Sequence, residues 1–170
     1  MLSQQYLEKE RRLRLAYDTR NGSKEFALES ARVLGAYGVN VLLFDRFSPV
    51  PLLSYTIREY GCDGGAVITA SHNSKEYNGF KTYGSSGVQM APDMTERISR
   101  IIGSMKDPLD IKMCSSDSPM ITYIGRKAAE KFEKAVIRMF LAKERGKQEK
   151  SEGGVYSSLR IGKRLCEKYT

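Results

Sequence analysis

The chain holds one histidine and three cysteines in 170 residues, and these shortages exclude several kinds of chemistry. Cys62, Cys114 and Cys166 are odd in number and far apart, with no C-x-x-C pair. A disulfide framework or a zinc site needs paired or closely spaced ligands, so reduced thiols in a cytoplasmic setting are expected. No apolar run approaches the roughly 20 residues that a membrane helix needs, so no membrane partner is expected. The N-terminal stretch MLSQQYLEKERRLRL lacks the apolar core of a secretory signal. No internal repeat is visible. The composition is ordinary for a globular chain, 41% hydrophobic and 28% charged. The length suits one domain with an extension.

Charge of one sign is unevenly spread. The net charge is +8; residues 1–105 carry 13 Lys and Arg against 11 Asp and Glu, and residues 106–170 carry 15 against 9. A basic tail can bind nucleic acid or an acidic partner. Here Arg126, Lys127, Lys131 and Lys134 alternate with Glu130 and Glu133, the pattern of a solvated helix face. Nucleic acid is therefore not expected as a partner.

Hydrophobic periodicity orders the chain. Leu13–Tyr17 reads as a strand, and Asn21-Gly22-Ser23 as a turn and helix cap. Lys24–Tyr37 has helical spacing. Val39–Phe44 suits a strand buried on both faces. Leu52–Tyr60 reads as a helix, and Ala66–Thr69 as a third strand. Phe80–Tyr83 and Val88–Met90 read as short strands, and Pro92–Met105 as a helix with Pro92 in its first turn. Residues 106–122 read as a linker. A helical basic tail follows over 123–170, with Ile124, Ala128, Phe132, Val136 and Phe140 as the stripe of an amphipathic helix over Tyr123–Arg145 and a short helix at Val155–Thr170. Strands alternating with helices predict an α/β fold: a three-layer α/β/α domain over residues 13–105, mainly parallel in its sheet, after an N-terminal segment of residues 1–12. Ligands of such sheets sit beyond the carboxyl ends of the strands. Both Asp18-Thr19-Arg20 and the loop at Ser71 leave strands at that edge.

The loop carries the candidate chemistry. Ser71 follows an apolar strand and precedes His72 and Asn73, with Lys81 ten residues on. A constrained, exposed hydroxyl can carry a transferable group. A histidine and a lysine beside it can stabilise anionic charge or shuttle a proton. A Ser-His-Asn turn equally serves as plain loop chemistry, its side chains bonding nearby backbone. Spacing alone leaves both readings open.

The motifs go further. Thr69-Ala70-Ser71-His72-Asn73 followed by Tyr77-Asn78-Gly79-Phe80-Lys81 resembles the active-serine signature of the α-D-phosphohexomutases, the phosphoglucomutase and phosphomannomutase superfamily. Asp18-Thr19-Arg20 with Ser23 resembles the family's D-x-R-x-x-S. Pro49-Val50-Pro51 resembles its P-T-P turn, Gly64–Thr69 its strand before the serine, and Gly87-Val88-Gln89 its G-x-Q. Order and spacing match across Leu13–Met105, the family's first domain, and look most like its phosphoglucomutase/phosphopentomutase branch.

The resemblance implies a phosphoserine enzyme that moves a phosphoryl group between the 1- and 6-positions of a sugar phosphate. Ser71 would carry the group, with His72 and Lys81 as catalytic partners. Asn73 and Asn78 would shape the phosphate loop, and Asp18 and Arg20 would hold its ends together. Mg²⁺ would bind through the phosphoryl group on Ser71, with its other protein ligands outside this chain, and a sugar bisphosphate would act as activator. The substrate would be a hexose or pentose phosphate. The family's metal-binding D-G-D-x-D-R, its sugar-recognising G-E-x-S-G and its phosphate-binding R-x-S-G-T loops are absent from this sequence, and Ser74 stands where proline is usual. These departures predict a truncated fragment with little activity alone, free to self-associate through an exposed domain interface. The alternative is a non-catalytic remnant or regulatory interaction protein of the same fold.

Overall fold

A computed structural model describes residues 10–105, 107 and 110–148. Its elements run β1 (Arg11–Tyr17), α1 (Ser23–Ala36), β2 (Val39–Phe44), α2 (Val50–Glu59), β3 (Gly64–Ile68), β4 (Phe80–Gly84), α3 (Pro92–Gly103), β5 (Ile121–Ile124) and α4 (Arg126–Gln148). The five strands form one sheet in the order β4-β3-β1-β2-β5. All neighbours pair in parallel except β3 and β4, which are antiparallel.

Side chains alternate across the strands, so each face of the sheet has its own core. On one face Leu15, Tyr17, Val41, Leu43 and Ile68 pack against Ala27 and Ala31 of α1. On the other, Ala16, Phe44, Val67 and Tyr83 pack against Leu52, Leu53 and Ile57 of α2. The three layers are thus helix, sheet, helix. The two crossovers from β1 to β2 and from β2 back past β1 to β3 run in opposite directions, which places their helices on opposite faces. That reversal of strand order opens a crevice beyond the carboxyl ends of β1 and β3.

Arg14 departs from this pattern. It is fully buried in the middle of β1. Its guanidinium carbon lies 4.6 Å from the Tyr60 ring centroid and 5.4 Å from that of Phe44. None of its three nitrogens is hydrogen-bonded to an oxygen or nitrogen, and the polar group beside them is the Cys62 thiol. Burial pushes its pKa down and pushes the neighbouring Cys62 thiol up, and the attraction between the two groups only moderates each shift.

Several elements differ from the periodicity. Ile121–Ile124 is a strand on the open edge of β2, with Val41 paired to Ile121 and Phe44 to Ile124. The helix expected from Tyr123 therefore starts at Arg126, and Ile124 belongs to the sheet. A four-residue apolar run has no period of its own, and only the free β2 edge decides its state. The stretch read as a linker is tied down: Cys114 donates its N–H to Arg32 O, and Arg32 Nε donates to Cys114 O. The strand expected at Val88–Met90 is an isolated bridge between Tyr83 and Gln89. Ala128 at the start of α4 is buried in the second core. From Glu133 the chain forms a separate unit, whose described part is the rest of α4, with Val136, Ile137, Met139 and Phe140 exposed. The helix expected at Val155–Thr170 and the third cysteine, Cys166, lie outside the described residues; Cys62 and Cys114 are free thiols. Among the described residues no helix is long and apolar enough to cross a membrane.

Candidate active site

The site begins with the last parallel pair of β1 and β3, Tyr17 opposite Ile68. Two loops leave there side by side, 18–22 and 69–79. Asp18 N–H donates to Ile68 O at 3.2 Å, so they start joined. The second loop closes where Thr69 N–H donates to Gly79 O at 3.0 Å. A Cβ at Gly79 would lie 2.9 Å from Thr69 O, so the return is too tight for any side chain.

Ser71 sits at the turn with φ 62, the only positive φ at a non-glycine among the described residues. A left-handed serine costs about 1–2 kcal/mol. The compensation comes from Arg20, whose side chain is 9% exposed. Its Nη2 donates to Ser71 O at 2.5 Å. Its Nη1 faces Asn73 O at 2.8 Å, Ser74 O at 2.5 Å and Tyr77 O at 3.3 Å. Its Nε donates to Asp18 Oδ2 at 2.9 Å. Charged donors contribute about 1.5–3 kcal/mol per hydrogen bond, so the clamp outweighs the strain.

Asp18 is the other half of the clamp. It accepts from the Arg20 main-chain N–H at 3.0 Å and from Ser23 Oγ at 2.8 Å. Burial alone would raise its pKa; hydrogen bonds from Thr69, the Arg20 backbone, Ser23 and the Arg20 side chain together bring it below the ordinary value. Thr69 Oγ1 in turn accepts from Ser71 N–H at 3.1 Å, which links Asp18 to the serine through one hydroxyl. Ser23, expected as a helix cap, is the first residue of α1. The cap is Gly22, at φ 73. The Ser23 hydroxyl thereby faces inward, 2.7 Å from Asn78 Oδ1, while Asn78 Nδ2 donates to Asn21 O at 2.6 Å.

The expected residues thus divide into two groups. Asp18, Arg20 and Asn78 form the scaffold. Ser71, His72 and Asn73 are exposed, and Lys81 is half-buried. Lys81 stands on β4 opposite Val67, one pair in from the loop. Among the described residues the Ser71 hydroxyl, the His72 ring and the Lys81 ammonium have no hydrogen-bond or ion-pair partner. Thr69 was missed as a scaffold residue by sequence reasoning; its only signal is its place in the same T-A-S-H-N run. A cleft of about 600 Å³ opens beside this loop, between α1 and the β3–β4 turn, lined by Phe26, Leu34, Phe80, Glu29, Asn78 and Gly79. Its walls are mostly apolar, and Glu29 is an anion already paired with Arg32.

Residues 1–108 match the family model described as phosphoglucomutase/phosphomannomutase, alpha/beta/alpha domain I. The chain is 36% identical over 124 residues to a phosphoglucomutase of Staphylococcus saprophyticus, covering 71% of this chain and 22% of that protein. It is 38% identical over 125 residues to a phosphoglucomutase of Staphylococcus aureus strain USA300, covering 72% of this chain and 23% of that protein. The chain therefore spans about a quarter of the length of these curated relatives. In fold it is similar to the structure of a phosphoglucomutase/phosphomannomutase family protein from Burkholderia thailandensis. The TM-score is 0.52 at 21% identity, over 75% of this chain and 27% of that one. The Ser71 loop thus lies within the matched region, and the chain belongs to the phosphoglucomutase/phosphomannomutase family, of which it carries domain I.

Proposed function

We propose that this chain is the phosphoserine-bearing domain of a phosphohexomutase. The observation that carries the proposal is the Ser71 hydroxyl, exposed on a left-handed residue that Arg20 holds in place. Ser71 Oγ attacks a phosphorus of a sugar bisphosphate. The new O–P bond forms as the P–O bond to the sugar breaks, and the hydroxyl proton leaves for the departing sugar oxygen. The reverse transfer, to the other position of a hexose or pentose phosphate, completes the mutase cycle between 1- and 6-phosphates. Lys81 and His72 supply positive charge and proton transfer around the phosphoryl oxygens. A glucomutase-like specificity follows the relatives' names.

The family is generally Mg²⁺-dependent. Among the described residues no group of three His, Cys, Asp or Glu side chains is placed to hold a metal ion. They do not fit a magnesium site beyond what a phosphoryl oxygen on Ser71 would offer, and no step above runs through the ion. With the metal and sugar loops absent from the sequence, slow turnover is expected from this chain alone. Interconversion of glucose 1-phosphate and glucose 6-phosphate at ordinary enzyme rates would overturn that expectation. The cytoplasm, where sugar phosphates are kept, is the proposed location.

The direct test incubates the purified chain with glucose 1,6-bisphosphate and maps phosphate by mass spectrometry. One phosphate on Ser71, absent in Ser71→Ala, supports the proposal; an unmodified Ser71 rejects it. Rejection would favour the second reading, a non-catalytic interaction protein of the same fold. One observation speaks for that reading: no residue of α3 is buried, although Met94, Ile101 and Ile102 are apolar and exposed. Such surface also favours self-association, which sedimentation at several concentrations would detect.

A further inference from the structure

Arg20 binds main-chain oxygens at four places in one short loop: Ser71, Asn73, Ser74 and Tyr77. The peptides of the described residues are all trans. In a trans peptide the C=O of one residue and the N–H of the next point in opposite directions. Turning these oxygens inward therefore turns the N–H groups of His72, Ser74, Lys75 and Asn78 outward. Among the described residues none of those four N–H groups donates to a protein acceptor, whereas the neighbouring N–H groups of Ser71, Asn73 and Tyr77 all do. Unpaired main-chain donors together with the basic side chains of His72 and Lys75 make an anion-binding face. Glu76 is the acid within this segment, and its carboxylate is engaged by the Ser74 hydroxyl and its own backbone N–H.

We propose that Arg20 is a positioning residue that gives this loop its anion site. By gathering the carbonyls of residues 71–77 it presents the amides of His72, Ser74, Lys75 and Asn78 to a phosphate, the chemistry that a phosphoryl group on Ser71 would share. The proposal rests on the phosphoserine reading above and adds the main-chain donors to it. It also separates two roles: Lys81 and His72 act by charge on the phosphate, and Arg20 acts from behind the loop without touching it.

Titration of the full-length chain with inorganic phosphate, followed by amide NMR, tests this. In the wild-type protein the four amide signals should move together and saturate. A response centred elsewhere, or no saturating response, overturns the site. Arg20→Lys keeps the charge and loses the fork, so the same four signals should respond with about tenfold weaker affinity. Unchanged affinity in Arg20→Lys overturns the positioning role. The wild-type map stands even if the variant folds poorly. The two readings also fail separately: phosphate bound at these amides with Ser71 never phosphorylated would reject the mutase reading alone.

Discussion

Arg20 Nη2 lies 2.5 Å from the main-chain oxygen of Ser71, 51 positions further along the chain. The same arginine anchors to Asp18 at the end of β1. A residue from the first loop of the sheet thus sets the backbone of the second, and the candidate nucleophile is held by main-chain contacts that leave its hydroxyl free.

The conformation of Ser71 predicts a trade between stability and chemistry. Glycine adopts a positive φ without the side-chain clash, whereas alanine keeps it. Ser71→Gly should therefore be more stable than Ser71→Ala by about 1 kcal/mol. Denaturant melts of the two variants measure this, and equal stability would show that the left-handed serine carries no strain. Neither variant should take up phosphate.

Lys81 should separate chemistry from folding. It makes no ion pair among the described residues, so Lys81→Met should change stability by less than about 0.5 kcal/mol. Phosphate loading on Ser71 from a sugar bisphosphate should fall by about tenfold or more, the loss of one charge-assisted contact. Loading at the wild-type rate would remove Lys81 from the mechanism.

Asp18 should make the clamp sensitive to acid. Its folded-state pKa is lowered, so the stability it contributes is present above the unfolded carboxylate value of about 3.9 and is lost as pH falls through the folded value. Hydrogen exchange of the 69–79 amides should accelerate below about pH 4 more than that of the β1–β2 core. Asp18→Asn should flatten this dependence while leaving the loop less protected at neutral pH.

Arg14 should be replaceable at a gain. A buried cation whose polar neighbour is a single thiol costs more than an apolar side chain of similar length. Arg14→Met should raise stability by about 1–3 kcal/mol, read from thermal melts. A loss of stability would mean that stacking on Tyr60 and Phe44 outweighs the desolvation of the guanidinium.

Gly79 is where the loop admits no side chain. Gly79→Ala places a Cβ against the Thr69 carbonyl, a backbone atom that cannot swing aside. A cost of about 1–3 kcal/mol is expected, as for overpacking elsewhere, with increased exchange of the 69–79 amides. Unchanged exchange would contradict the tight return between β3 and β4.

Much of the domain is legible from local pattern. Val39–Phe44 is apolar at every position but Asn40, and it is the inner strand β2. Phe26, Ala27 and Ala31 recur at helical spacing, and Ala27 and Ala31 are the buried face of α1. The Thr69–Asn73 motif is contiguous, so it could be found without knowing the fold. The strand β5 was not legible, because four residues carry no period and their partner is an edge 80 positions away. Thr69 and Ser23 stand in the quoted motifs, but hydroxyl residues are common in turns, and only their partners reveal that these two hold the loop.

The sequence by itself determined the alternation of strands and helices from β1 to β3, the run that presents Ser71, and the family. These depend on hydrogen bonds and apolar spacings between near neighbours. Tertiary structure alone decided which atoms Arg20 would reach, which amides were left unpaired, and that Arg14 would lie buried against the Tyr60 and Phe44 rings. Those outcomes turn on distances between parts of the chain that meet only when parallel pairing sets Tyr17 beside Ile68 and brings the two loops together.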